Sequence, residues 1–349
     1  MCIRDRYNCT FDSTLKQPGW WDVTINSSYS YYFDNSTTWY DRFELVNTPT
    51  SYQNMSVTPD PGPWGGVFNY SVDISDIDLD DTNCSLYVST DNGTTWYYKG
   101  KKFIPNGTGT CYFEVSDFTC NDISNNSLFY FVLEDGYNVV NTSVAHGPNI
   151  TKDFIDIIHV FGNNEDVDRV TGSIRLILFV NDTVRSSGTV PASNITFNIT
   201  NDGTTYTTVG FNTTNASGYV VFDFEPDCSY NPMVQKWIAY AHNNTCYYDD
   251  MTPEFNITVL AHLSNAIQAP TGTEYLRGVN VTIRFNVTDY CDNLVENVSA
   301  NITMISEYTG KYFYCSPINN ETTLGWYNCT FNTSDMPARG YTIQITTNK

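Results

Sequence analysis

The sequence predicts an all-β chain of tandem two-layer sandwiches, and three observations predict it. Apolar and polar residues alternate with period two in segment after segment. In Val279-Asn280-Val281-Thr282-Ile283-Arg284-Phe285-Asn286-Val287-Thr288 every odd residue is apolar and every even one polar, the mark of a half-buried strand. Turn sequences such as Asp91-Asn92-Gly93 and Asn106-Gly107-Thr108-Gly109 punctuate these runs at sandwich spacing. No amphipathic helical pattern exceeds two turns, and 349 residues suit several domains at roughly 100–200 residues each.

Taken in order, Met1-Cys2-Ile3-Arg4-Asp5-Arg6 resembles translated sequencing-adapter read-through, so residues 1–6 are read as a scar foreign to the fold. Residues 7–50 read as the C-terminal part of a domain. Their start, Tyr7-Asn8-Cys9-Thr10-Phe11, recurs as Tyr327-Asn328-Cys329-Thr330-Phe331, and Trp21, Val23 and Ile25 fall in phase with Tyr341, Ile343 and Ile345. The chain is thus expected to start and stop inside two copies of one domain type. Val46-Asn47-Thr48-Pro49-Thr50 and Pro59-Asp60-Pro61-Gly62-Pro63 mark a linker between Phe43 and Trp64, and residues 51–148 form a sandwich of about seven strands. Gly147-Pro148 opens a second sandwich over 149–262, with its sharpest turn at Asn215-Ala216-Ser217-Gly218. A linker from Leu263 to Thr273 leads into an incomplete domain over 263–349.

Composition excludes whole classes of partner. Only 16% of residues are charged, yet the net charge is −21, which argues against nucleic acid and anionic lipid. Hydrophobic residues at 41% and aromatics at 15% supply cores, and no apolar run approaches the ~18–20 residues of a membrane span.

Asparagine and hydroxyl residues give the strongest functional signal. With 38 Asn, 44 Thr and 26 Ser, chance placement gives roughly eight N-x-[ST] triplets, and there are 25. The acceptors are Asn8, Asn26, Asn35, Asn54, Asn69, Asn83, Asn92 and Asn106, then Asn125, Asn141, Asn149, Asn181, Asn194, Asn198, Asn212 and Asn215. Asn243, Asn256, Asn280, Asn286, Asn297, Asn301, Asn320, Asn328 and Asn332 complete the set. A threefold excess implies selection for N-glycan attachment on a secreted chain. In strands such as Phe68–Val72, Ile195–Ile199, Phe255–Val259 and Val298–Ile302, the alternation turns the acceptor and its Ser or Thr to solvent and the middle residue to the core.

Ten cysteines without a C-x-x-C pair or Cys/His ligand spacing read as disulfides of an oxidising compartment. Cys228 with Cys246 and Cys315 with Cys329 are the expected pairs; the pairing of Cys9, Cys84, Cys111, Cys120 and Cys291 stays open.

Pro63-Trp64-Gly65-Gly66-Val67-Phe68-Asn69-Tyr70-Ser71-Val72-Asp73-Ile74-Ser75-Asp76 resembles the opening strands of PKD-like and immunoglobulin-like modules of archaeal cell-surface proteins. Val167–Ile199, followed by Thr214-Asn215-Ala216-Ser217-Gly218-Tyr219, is similar to hairpins of bacterial-type Ig and carboxypeptidase-regulatory-like modules. Gly278–Val281 through Val298 and Ala300 resembles another surface Ig-like repeat. The resemblance implies tandem immunoglobulin-like sandwiches, the first and last truncated, in an extracellular structural protein, and it supplies no catalytic residue.

Other constellations carry narrower expectations. Asp73, Asp76, Asp78, Asp80 and Asp81 place oxygen ligands at near-alternate positions, which suits calcium, although the glycine and terminal Glu of an EF-hand are absent. Asn163, Glu165, Asp166 and Asp168 form a weaker second candidate. Ser89-Thr90-Asp91-Asn92-Gly93-Thr94-Thr95-Trp96 fits the Asp-box hairpin, a structural device. The histidines His146, His159, His242 and His262 sit in no triad or metal motif, and the chain is read as no enzyme. The expected function is a glycosylated structural protein that self-assembles through domain edges or strand donation into a filament, sheath or S-layer. The alternatives are an adhesin or glycan-binding module using Trp20, Trp21, Trp39 and Tyr29-Ser30-Tyr31-Tyr32, and accessory domains of a larger secreted hydrolase.

Overall fold

In the computed structural model, residues 7–13, 16–185 and 188–349 are described, and the scar assigned to residues 1–6 lies outside them. Among the described residues the regular elements are strands, apart from two three-residue 3-10 turns, Pro105–Gly107 and Cys120–Asp122. Two compact units result. One holds the described residues through Asp156 with Asp182–Gly188 and Asn243–Tyr248; the other holds Ile157–Asn181, Thr189–His242 and Asp249–Lys349.

The first unit begins with a hairpin, β1 (Gly19–Ser27) and β2 (Asn35–Leu45), whose strands pair only with each other. Its sandwich follows as β3 (Ser51–Thr58), β4 (Phe68–Ser75), β5 (Thr82–Ser89), β6 (Tyr97–Ile104), β7 (Gly109–Val115), β8 (Leu128–Glu134) and β9 (Val139–Asn141). One sheet has the order β3-β4-β7 and the other β9-β8-β5-β6, with the short strand Ala145–His146 also paired to β8; all are antiparallel, the two-sheet arrangement of an immunoglobulin-like domain. Alternation fills the space between them with Phe68, Tyr70 and Val72 from β4, Leu86 and Val88 from β5, and Phe129, Phe131 and Leu133 from β8. Each such side chain contributes about 1.5–3 kcal/mol on burial. Cys84 of β5 and Cys111 of β7 join the two sheets. The stretch read as a linker between Phe43 and Trp64 contains β3, because Tyr52 and Val57 pair along β4 as an ordinary outer strand; Val46–Thr50 and Pro59–Pro61 lack strand structure there.

The second unit contains most of two further sandwiches. In the first of them β10 (Ile155–Phe161), β12 (Ile174–Asp182) and β15 (Tyr219–Phe224) form one sheet, with β12 central. The facing sheet has the order β11-β17-β16-β13-β14, from β11 (Glu165–Asp168), β13 (Asn194–Thr200), β14 (Tyr206–Thr213), β16 (Val234–Ala241) and β17 (Phe255–Leu260). Trp237 is wholly buried; its ring packs on Phe255 and Phe197, and its Nε1 donates to the Gly162 carbonyl at 2.7 Å. The turn at Asn215–Gly218 forms as expected. Asn215 Oδ1 accepts from Ser217 N and Tyr219 N, while Gly218 sits at φ +78°, where a Cβ would stand 2.9 Å from the Val180 carbonyl.

The second sandwich of this unit pairs β18 (Leu263–Ala269), β19 (Asn280–Asp289) and β22 (Trp326–Asn332) in one sheet. The facing sheet is β21-β20-β23, from β20 (Ser299–Ser306), β21 (Tyr312–Cys315) and β23 (Tyr341–Asn348). Leu263–Thr273, expected as a linker, is therefore mostly strand, since Leu263–Ala269 pairs with β19.

The disulfides correct one expected pair. Cys315 bonds Cys329 and joins the two sheets of the last sandwich, but Cys228 bonds Cys291, and Cys246 bonds Cys120. Between Cys228 and Cys246 runs β16, whose eight residues carry the chain about 26 Å, far beyond the ~7 Å Cα separation that a disulfide spans. Cys9 is exposed and unbonded.

Candidate functional site

The acceptor asparagines are the most widespread candidate site, and the strand alternation places them. All 25 are exposed or half-exposed; none is buried. On β19 the pattern is strict, with Val281, Ile283, Phe285 and Val287 buried while Asn280 is exposed and Asn286 half-exposed. Not every acceptor amide is free to react. Asn332 Nδ2 donates to Asn280 Oδ1 at 2.8 Å across directly opposed positions of β19 and β22, and the Nδ2 atoms of Asn54, Asn212 and Asn328 also donate to protein oxygens.

The acidic loop after β4 gathers three of its five carboxylates. Asp76, Asp78 and Asp80 bring ligand oxygens within 4.8 Å of one another. The other two do not join them. Asp73 lies within the β4 ladder, where Thr110 Oγ1 and Asn54 Nδ2 donate to its carboxylate, and Asp81 accepts from the Asn106 backbone N–H. Strand pairing continues to Ser75 and so removes Asp73 from the loop. The cluster is otherwise built from the segment before β3 and the β8–β9 turn. Asp76 is 2% exposed and accepts from Thr50 Oγ1 and Asp78 N, and Asp78 accepts from Thr48 N. Buried Asp135 accepts from Asn47 Nδ2, Tyr137 N and Asn138 N. Burial raises the pKa of the Asp80 carboxyl, and the charges of Asp76, Asp135, Asp78 and Asp81 raise it further. Two oxygens sealed from solvent, Asp80 Oδ2 and Asn47 Oδ1, have no hydrogen-bond donor. An oxygen-rich set with unmet acceptors suits a hard divalent cation such as Ca²⁺.

The second acidic candidate does not form a loop site. Glu165–Asp168 is strand β11, paired parallel to β17, and Asn163 Oδ1 accepts from the Asn256 backbone.

The Asp-box sequence makes a hairpin. Asp91 Oδ1 accepts from Ser89 Oγ and Thr95 N, which holds its pKa below the usual carboxylate range, and Trp96 packs edge-on against Tyr130 at 4.7 Å. Sequence reasoning missed what this hairpin begins. Tyr130 stacks on Tyr87 at 5.2 Å and Tyr87 meets Tyr98 at 5.5 Å, so Trp96, Tyr130, Tyr87 and Tyr98 form a row on the outward face of β8-β5-β6. The signal was in the phase of Tyr87 and Tyr130, opposite to that of the buried Leu86, Val88, Phe129 and Phe131. Of the residues expected to stack on sugars, Trp20, Trp39, Tyr29, Tyr31 and Tyr32 are exposed and Trp21 half-buried.

The histidines serve packing and surface contacts. His159 lies 4.6 Å from the Phe255 ring with its pKa lowered by burial, His242 Nε2 shares a hydrogen bond with Thr196, and His262 faces Asp168 at 3.2 Å. His146 is exposed.

No protein-family model matches the chain, and no curated protein matches it. Among solved structures it is similar to a tetra-tandem repeat from the extending region of a large adhesion protein, at 13% identity and a TM-score of 0.41, over 95% of this chain and 78% of that one. The Escherichia coli adhesin FdeC aligns at 12% identity and a TM-score of 0.36, over 87% of this chain and 95% of that one. Among the described residues no helix is long and apolar enough to cross a membrane.

Proposed function

We propose that the chain is an extracellular, N-glycosylated structural protein of the cell surface, built to assemble with its own kind into a filament, sheath or S-layer. The observation that carries this reading is the placement of all 25 acceptor asparagines outside the cores, when chance predicts roughly a third as many triplets. Four disulfides support an oxidising, extracellular setting. A glycan coat protects exposed strand edges from unwanted pairing and leaves chosen edges for assembly. The likeness of Pro63–Asp76 to modules of archaeal cell-surface proteins points to the same setting.

The Asp76, Asp78 and Asp80 cluster is proposed to hold Ca²⁺, with Asn47 tying the segment before β3 to it; the orphaned oxygens of Asp80 and Asn47 support this. A second reading, a glycan-binding surface, is favoured by the Trp96–Tyr130–Tyr87–Tyr98 row, because aromatic faces stack on sugar rings.

Cryo-electron microscopy of the native extracellular material tests the assembly reading. Helical or lattice order with sugar density at Asn280, Asn286 and Asn301 is the expected result. Separate particles with bare asparagines overturn it and move the glycan-binding reading to first place.

A further inference from the structure

Among the described residues, the hairpin β1–β2 carries an apolar face with no second sheet over it. Trp21 pairs opposite Phe43 and Val23 opposite Trp39, while Trp39 is 44% and Ile25 54% exposed. Phe11 packs on Trp21 at 5.8 Å and on Phe43 at 5.7 Å. A lone two-stranded hairpin is marginal in water, so a face of this composition calls for a covering layer.

The last sandwich shows what such a face packs against. Its segment Tyr327-Asn328-Cys329-Thr330-Phe331 repeats Tyr7-Asn8-Cys9-Thr10-Phe11 residue for residue. Within it, Phe331, Tyr341, Ile343 and Ile345 pack on a core of Ile283, Phe285, Ile302 and Met304. Phe11, Trp21, Val23 and Ile25 stand at the positions of Phe331, Tyr341, Ile343 and Ile345 at one constant offset of 320 residues. Cys329 is bonded to Cys315, whereas its counterpart Cys9 is an exposed thiol. In that sandwich β23 pairs with β20; in the hairpin the matching strand β1 pairs with β2 on one edge and, among the described residues, has no partner on the other.

We propose that residues 7–45 are the closing strands of a module whose body has the pattern of residues 263–326, and that this body, joined in series to Tyr7, covers the aromatic face and supplies the disulfide partner of Cys9. The last sandwich of a second copy is not a ready occupant, because its own β22 and β23 fill the place and its Cys315 is already bonded. Bond formation is a two-electron thiol oxidation. Cys9 and the body's cysteine each lose a proton and an electron to a disulfide oxidant of the secretory route, which is reduced to a dithiol.

The test is a graft in which residues 263–326 are placed directly ahead of Tyr7 in the otherwise complete chain. A peptide map by mass spectrometry should show Cys9 joined to the grafted copy of Cys315, and amides of 19–45 should exchange with deuterium at least tenfold more slowly than in the ungrafted chain. A second graft carrying Cys9→Ser should keep most of that protection, since the packed face and not the bond supplies it. Cys9 still open to alkylation and unchanged exchange in 19–45 would overturn the proposal, as would a graft whose body stays unfolded while the downstream disulfides form normally. A Cys9–Cys315 bond between two ungrafted chains would overturn it in favour of strand exchange between copies.

Discussion

Asp153 is a buried carboxyl whose removal should stabilise the protein, and only above a definable pH. It is 0% exposed and neither carboxylate oxygen has a hydrogen-bond partner, while its backbone is held by the Cys246 carbonyl and the Tyr248 N–H. Burial, reinforced by the Asp182 charge and partly offset by Arg185, pushes its pKa up from 3.8 to about 6. The folded state thus prefers the neutral acid. Its contribution is fully present below pH 4, declines as pH rises from about 4 to 6, and settles at a cost of about 3 kcal/mol above that, for a shift of about two units. Asp153→Asn keeps the shape and is neutral at every pH. Urea unfolding of parent and variant should therefore give matching midpoints at pH 4 and a variant midpoint higher by roughly 1–2 M at pH 8, for a urea dependence of about 2 kcal/mol per molar. Taking the difference between the two proteins cancels the titration of every other group. A variant that is destabilised equally at both pH values would refute the reasoning, since it would mean the carboxylate is solvated or paired in the fold.

Three other substitutions probe the frame. Arg169→Met leaves Asp289, 6% exposed, without its guanidinium partner in a buried pair, and should cost about 3–5 kcal/mol in chemical denaturation, with part of that regained in the double variant with Asp289→Asn. Trp237→Ala removes the largest wholly buried side chain and orphans the Gly162 carbonyl, for an expected loss of about 3–5 kcal/mol in the same assay. Asp80→Asn should abolish any rise in melting temperature produced by millimolar CaCl₂ in the parent, read by calorimetry; an equal rise in both proteins would place the ion elsewhere. For the acceptors, glycopeptide mass spectrometry should find Asn332 less occupied than Asn301, because the Asn332 amide already donates to Asn280; equal occupancy would show that attachment precedes the pairing of β19 with β22.

The fold class was legible because alternation is a local property. Val281, Ile283, Phe285 and Val287 declare their face without knowledge of any partner, and the structure buries all four. Leu263–Ala269 escaped notice because Ser264, Asn265, Ala266 and Gln268 blur the alternation on an outer strand. Cysteine pairing was illegible for a different reason. Nearness in sequence favours Cys228 with Cys246, but an intervening straight strand puts them at its two ends, and only the tertiary fold delivers Cys120 and Cys291. The acidic loop was half legible. Its composition pointed to oxygen chemistry, yet the extent of β4 decided that Asp73 was out, and Asn47 and Asp135 entered from distant segments that no spacing rule connects.

The interleaving of two disulfides gives the chain an unusual response to tension. Cys228 lies inside the loop closed by Cys120–Cys246, and Cys246 lies inside the loop closed by Cys228–Cys291. A pull applied on either side of this region passes from Cys120 through sulfur to Cys246, back along eighteen residues to Cys228, and through sulfur again to Cys291. At about 3.4 Å per residue, complete unfolding there yields a covalent tether of about 60 Å, where the open chain from Cys120 to Cys291 would pay out close to ten times that length. Mechanical unfolding of that stretch is thus nearly inextensible until sulfur is reduced, the behaviour of a shackle.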